Sequence, residues 1–308
     1  HLGPVDGHDT RQMMKLLNEA KRVEGPVILH VLTQKGRGYG PAMRHPDRFH
    51  GTAPFRIATG TLRKKSEKPS YTDVFSAAVC KLGQEDCRIA AITAAMPLGT
   101  GLNGFAQRFP QRFFDVGIAE AHAVTFAAGL ALGGLIPVVA VYSSFLQRAF
   151  DQILHDVCMQ NIHVVFAIDR AGLVGSEGET HHGCFDLGYL SMMPNMTVMA
   201  PKNRWELADM LEFAVSCPGP AAVRYPRGEA CEELEEYRSP IEMGKAEWLI
   251  RGRGVALLPI GSMVSEGKRV QEALETKGYS PSLVNMRFAK PLDLECLDEL
   301  AQCHETLV

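Results

Sequence analysis

The chain has 308 residues, 46% of them hydrophobic and 22% charged, with a formal net charge of −3; that is the profile of a globular protein of about two domains with room for a sizeable core. So even a charge balance carries no basic footprint, which argues against nucleic acid or an anionic membrane as partner and leaves small molecules as the expected ligands. Eight cysteines without a C-x-x-C pair exclude a zinc ribbon and a thioredoxin-like motif, and are expected to be mostly buried free thiols.

Residues 1–59 offer one amphipathic helix, 10–23, and one apolar strand, 26–32. That is too little to bury a core, so this stretch is expected to be the end of a larger domain. Residues 60–70 are polar, basic and without period, and read as an exposed linker. From 71 to 228, helical periods (73–83, 119–132, 144–159, 204–215) alternate with short β-branched runs (89–93, 136–142, 163–169, 221–225). The alternation predicts an α/β domain, a mainly parallel sheet with helices on both faces. The longest apolar stretch, 123–141, is broken by Gly129, Gly133, Gly134 and Pro137 and reads as helix, turn and strand, not a membrane span. With no signal peptide ahead of it, a cytoplasmic location is expected. After an acidic connector at 229–239, a further α/β domain starts within 240–308, with a strand at 254–261, a helix through Val270 and Leu274, and a strand at 282–288.

In a parallel sheet, ligands sit beyond the carboxyl ends of the strands, so the polar residues that follow each strand are the ones to inspect. Glu120 opens the helix after the short apolar strand of FFDVGI. A carboxylate there is favoured by the free backbone N–H groups alone, but its neighbours Gly117, Ile118, Ala119 and Ala121 are small or apolar and leave it partly desolvated. Tyr142 and Phe145 flank the end of the strand VVAVY, where an aromatic is ordinarily core. Three arginines follow strands or enter helices: Arg148, Arg170 and Arg227, with Arg224 competing for the last place. Gathered at one sheet edge they are hard to balance with so few nearby carboxylates, and guanidinium forks suit phosphate oxygens. The Gly-rich loop 172–185 carries Glu177, His181 and His182. Adjacent histidines on an extended loop point apart and no third ligand stands at a familiar spacing, so no metal site is expected in this chain.

Taken together, ITAAMPLGTG, DVGIAEAHA, YSSFLQRAFDQ and GSEGETHHG closely resemble the pyrimidine-binding half of thiamine diphosphate enzymes of the transketolase class. The resemblance implies that Glu120 activates the cofactor through a ring nitrogen, that Phe145 stacks on the aminopyrimidine with Tyr142 and Ile118 beside it, and that His181 handles protons. It also implies decarboxylation of pyruvate and transfer of two carbons to D-glyceraldehyde 3-phosphate, a route to isoprenoid, thiamine and pyridoxal precursors. Arg148, Arg170 and Arg227 would then hold the acceptor phosphate and Glu177 its hydroxyls. Glu177 stands where the family typically has Asp, His182 where Gln is common, and Ala121 where Gln follows the catalytic Glu.

The opening region, with GPVDGHD, TQKGRGYGPA and DRFHG, resembles the end of the family's diphosphate-binding domain. By that likeness Lys35 lies near the cofactor and His50 faces the reacting carbon. Such enzymes hold Mg²⁺ with a G-D-G motif, because a diphosphate calls for a hard cation and oxygen ligands, and no GDG occurs here. The magnesium site is therefore expected in a preceding segment. This stretch, which starts at His1, is expected to be a piece of a longer, homodimeric enzyme and inactive alone. Two other readings stay open: another transketolase-class enzyme, and a non-catalytic module that binds a partner.

Overall fold

The computed structural model describes residues 1–63 and 68–308, which form two compact units, His1–Glu67 and Lys68–Val308. Residues 64–67 of the expected linker lie outside the described residues.

In the first unit, β1 (Leu2–Asp6) runs parallel to β2 (Leu29–Leu32). Between them lies α1 (Thr10–Ala20), which begins where the Asp9 carboxylate accepts the N–H groups of Arg11 and Gln12. The helix ends three residues before the apolar period does, and β2 starts three residues late. After α2 (Gly40–Arg44), the rings of Tyr39, Phe49 and Phe55 pack on one another, the last two edge-on at 5.1 Å. Among the described residues of this unit, Val5 and Ala42 are the buried hydrophobic ones, so it has a thin core.

The second unit begins with α3 (Tyr71–Glu85), started by a capping box between Ser70 and Asp73. Then follow β3 (Ile89–Thr93), α4 (Asn103–Arg108), β4 (Phe113–Asp115), α5 (Glu120–Leu132) and β5 (Ile136–Tyr142). A wound segment comes next: α6 (Ser143–Leu146), a 3₁₀ turn Gln147–Ala149, α7 (Phe150–Gln152) and a π turn Ile153–Cys158. The chain continues through β6 (Val165–Asp169), α8 (Asp186–Met192), β7 (Thr197–Met199), α9 (Arg204–Ser216) and β8 (Ala221–Arg224). Last come β9 (Glu247–Ile250), β10 (Gly254–Leu257), α10 (Met263–Glu275), β11 (Ser282–Asn285), β12 (Phe288–Lys290), α11 (Leu294–Cys303) and β13 (His304–Leu307).

The larger sheet has the order β12-β7-β8-β6-β5-β3-β4, parallel throughout except for β12 against β7. Its central strands IAAIT, IPVVAVY and VFAID are covered on both faces, which is why they read as unbroken apolar runs. One face packs Phe75 against Tyr225, and the other packs Val124, Ile153 and Phe166. A smaller sheet, β13-β10-β11-β9, is parallel apart from β9.

A uniform helix over 144–159 is not what forms. Residues eight apart on an ideal α-helix stand about 80° out of line, yet Arg148 and Asp156 both reach α5, Arg148 at Glu120 (2.8 Å) and Asp156 at Thr125 (2.6 Å). The tight and wide turns between them change the winding so that both can. The thiols also divide differently from the expectation: Cys80, Cys158, Cys217 and Cys296 are buried, Cys231 is half-buried, and Cys87, Cys184 and Cys303 are exposed, in loops or at a helix end.

The two sheets are joined by a buried ionic network. The Lys202 ammonium donates to Glu206 (3.1 Å) and Glu247 (2.6 Å), and the Arg287 guanidinium donates to the same two carboxylates at 2.8 Å each. The Asn285 amide donates to both, and Arg287 also donates to the carbonyls of Ser239 and Pro240 in the connector. Burial alone would raise the Glu247 carboxyl; the hydrogen bond from Lys202 and the charges of Arg287 and Lys202 outweigh it and hold the group below its ordinary value.

Candidate active site

The carboxyl ends of β3, β5 and β6 bring most of the expected residues of the second unit together. Glu120 heads α5 and is 3% exposed, its Oε1 accepting from Arg148 Nη1 at 2.8 Å. The Arg148 guanidinium carbon lies 5.2 Å from the centre of the Phe145 ring. Phe145 stacks on Tyr142 at 5.6 Å and meets the His181 ring edge-on at 5.2 Å. On the far side of Tyr142, the Arg170 guanidinium sits 3.8 Å from the ring centre. Arg170 forks onto Glu177, which Arg227 Nε reaches at 2.8 Å. One unbroken contact path therefore runs from Glu120 to Arg227.

The loop 172–185 is pinned by local bonds. Gly172 and Gly183 exchange backbone hydrogen bonds, each 2.8 Å, and the His182 ring accepts from the Val174 N–H at 3.0 Å. His181 is turned the other way, toward Phe145. Gly183 permits this: a Cβ there would lie 2.5 Å from both Ser143 Oγ and the Arg170 carbonyl oxygen. Ile118 stands 81% exposed in the turn before Glu120, where Asp115 accepts the N–H groups of Ala95 and Gly117. Lys35 and His50 belong to the first unit and are exposed there. Among the described residues no cluster of three or more His, Cys, Asp and Glu is placed to hold a metal ion.

The charge-surplus argument for phosphate does not survive. Glu120 pairs Arg148, Asp169 and Glu177 pair Arg170, Glu177 also pairs Arg227, and Asp186 pairs Arg224 at 2.8 Å. Four carboxylates converge on the edge that the sequence reading left short of acid. The arginines differ in access: the side chains of Arg148 and Arg227 are 59% and 38% exposed, that of Arg170 only 10%.

Asp169 was not singled out, although its place as the last residue of VFAID is the signal that could have found it. It is fully buried; Thr72 Oγ1 donates to it at 2.8 Å and the Arg170 N–H at 2.6 Å. Burial pushes its carboxyl up to about 6, against the pull of Arg170. Gly99 is a second omission. A Cβ there would stand 1.7 Å from the Tyr142 hydroxyl and 2.7 Å from its ring carbon. With Tyr142 held between Phe145 and Arg170, Gly99→Ala is expected to cost about 1–3 kcal/mol of stability, read as a lower denaturant midpoint at unchanged slope.

The Transketolase, pyrimidine binding domain model matches residues 67–232, more than half of the sequence. The chain belongs to the transketolase family. The Transketolase, C-terminal domain model matches 244–308, and the 1-deoxy-D-xylulose-5-phosphate synthase model matches 1–33. Among its relatives, a 1-deoxy-D-xylulose-5-phosphate synthase from Pelotomaculum thermopropionicum is 56% identical over 96% of this chain and 47% of its own. One from Natranaerobius thermophilus is 53% identical over 99% of this chain and 49% of its own. The chain thus spans about half the length of the curated relatives it matches. Among solved structures, a split gene transketolase described as an inactive β4 tetramer superposes with a TM-score of 0.70 at 29% identity, covering 78% of each chain. A transketolase from Leishmania mexicana shares the fold at a TM-score of 0.63 and 19% identity, over 74% of this chain and 35% of its own. Like these transketolase-family folds, the chain is α/β with mainly parallel sheets, and no helix among its described residues is long and apolar enough to cross a membrane.

Proposed function

We propose that this segment is the pyrimidine-binding part of a thiamine diphosphate-dependent synthase that decarboxylates pyruvate and transfers the two-carbon unit to D-glyceraldehyde 3-phosphate, giving 1-deoxy-D-xylulose 5-phosphate and CO₂. The observation that carries the reading is a buried carboxylate, Glu120, linked through Arg148 to a stacked aromatic pair that His181 touches. The residues present suit the cofactor. Two buried hydroxyls, Ser143 Oγ and Ser144 Oγ, have no partner among the described residues, and Ile118 holds an apolar side chain out in the open beside the acid.

When bound, thiamine diphosphate supplies the electron sink that bond cleavage beside a carbonyl requires. Arg148 takes Glu120 Oε1, which would leave the other carboxyl oxygen to hold a cofactor ring nitrogen and exchange a proton with it. Phe145, Tyr142 and Ile118 offer the flat apolar face. His181 donates to an oxygen on which charge develops, with His50 assigned a proton-handling role and Lys35 a place near the cofactor. Arg148 and Arg227 are the accessible cations for the acceptor phosphate, with Arg170 behind them, and Glu177 is assigned to the acceptor hydroxyls. Mg²⁺ is assigned to a segment outside this chain, and the parent enzyme is taken to act as a homodimer in the cytoplasm. Incubation of the full-length protein with pyruvate is expected to release CO₂ faster when D-glyceraldehyde 3-phosphate is added. Release that ignores the aldehyde phosphate would overturn the assignment.

A further inference from the structure

Two turns of the site are held by a single oxygen atom. β3 and β4 run side by side in parallel, with Thr93 level with Asp115, and both strands end at that level. From β3 the chain enters the stretch 94–101, which sets Gly99 against Tyr142; from β4 it enters the turn that ends at Glu120. The Val116 N–H continues the strand pairing to the Thr93 carbonyl at 3.0 Å. Asp115 Oδ1 then joins the two exits, accepting the Ala95 N–H at 2.8 Å and the Gly117 N–H at 3.0 Å. Both of these residues are left-handed, Ala95 with φ of +60° and Gly117 with φ of +72°. Glycine takes that conformation freely, alanine only at a cost, so a side chain that captures the Ala95 amide offsets the strain there. The same oxygen fixes the second turn, which the Ala119 N–H closes onto the Gly117 carbonyl at 2.8 Å just before the acid.

We propose that Asp115 is a positioning residue for the cofactor site: as a hydrogen-bond acceptor, and not through its charge, it holds the Ala95 turn left-handed and ties it to the turn that presents Ile118 and Glu120. The proposal rests on the assignment of Glu120 and Ile118 to the cofactor made above. Asparagine could stand in for Asp115, because an amide oxygen has the two lone pairs that the two N–H groups need, whereas alanine has no acceptor to offer. The strain at Ala95 adds a signature that a general loss of folding lacks. Ala95→Gly removes the cost of the left-handed turn, so it should recover part of what Asp115→Ala loses.

The test is calorimetric titration of thiamine diphosphate, in the presence of Mg²⁺, into the cofactor-free full-length enzyme. Asp115→Ala is expected to raise the Kd about ten-fold, because the turns then spend most of their time away from the competent shape. Asp115→Asn is expected to stay within about two-fold of the unaltered enzyme, and adding Ala95→Gly to Asp115→Ala to win back about three-fold. An unchanged Kd in Asp115→Ala overturns the proposal. So does an Asp115→Asn protein as weak as Asp115→Ala, which would make the charge the working part, or a double variant that binds no better than Asp115→Ala alone. If the unaltered enzyme does not bind thiamine diphosphate, the functional assignment fails on its own, and hydrogen exchange decides the positioning role. Backbone amides of 94–96 and 116–118 should then exchange about five- to ten-fold faster in Asp115→Ala than in the unaltered and Asp115→Asn proteins, with β5 unchanged. Equal exchange at those amides overturns the role, and so does faster exchange that spreads through β5, the mark of a general loss of stability.

Discussion

Glu120→Gln in the full-length synthase is expected to lower turnover by about 10²- to 10⁴-fold, the range a positioned acid or base contributes. Glutamine keeps the shape and an oxygen for Arg148 Nη1, so the fold around α5 should stand. What is lost is the capacity to take up and return a proton, and with it the role assigned to the acid. The comparison to make is the CO₂ release rate at saturating pyruvate, beside a thermal unfolding curve for each protein. Near wild-type turnover in a folded Glu120→Gln protein would remove the central assignment.

Arg287→Met is expected to lower the free energy of unfolding by about 3–5 kcal/mol, because it leaves Glu206 and Glu247 sharing one cation, Lys202, in a place closed to water. A urea titration of both proteins measures it. A change of less than about 1 kcal/mol would mean that water or a rearranged side chain takes the guanidinium's place, as at an exposed pair. The acid dependence has a definite sign. Glu247 is held below its ordinary value in the folded state, so its contribution is present above the unfolded value and is lost as pH falls through the folded one. Acid unfolding of the unaltered chain should therefore steepen below the ordinary carboxylate range.

Much of this was legible from residue order. The strands at 89–93 and 136–142 announce themselves because a strand buried on both faces needs an apolar run, and the helices around 119–132 and 204–215 because their apolar residues run on well past the length of a strand. The edges were harder to read. β7 and β12 have three residues each, too few to show a period, and β12 pairs with a strand some ninety residues earlier for reasons of packing alone. Asp169 stands next to Arg170 in sequence, but only spatial convergence shows that Asp186 neutralises Arg224. The wound segment after β5 escaped for a related reason: its turns follow from what α5 presents, Glu120 and Thr125, not from its own composition.

Since β12 lies in the stretch matched by the C-terminal family model yet hydrogen-bonds to β7 in the stretch matched by the pyrimidine one, the seam between the two family modules along the chain is not their seam in space. A chimaera that exchanges either module between relatives at the connector inherits a foreign strand at the rim of its larger sheet and foreign partners for Lys202 and Glu206. Recombination among these proteins is therefore constrained to carry the two modules as one hereditary block, or to adjust both sides of the seam together.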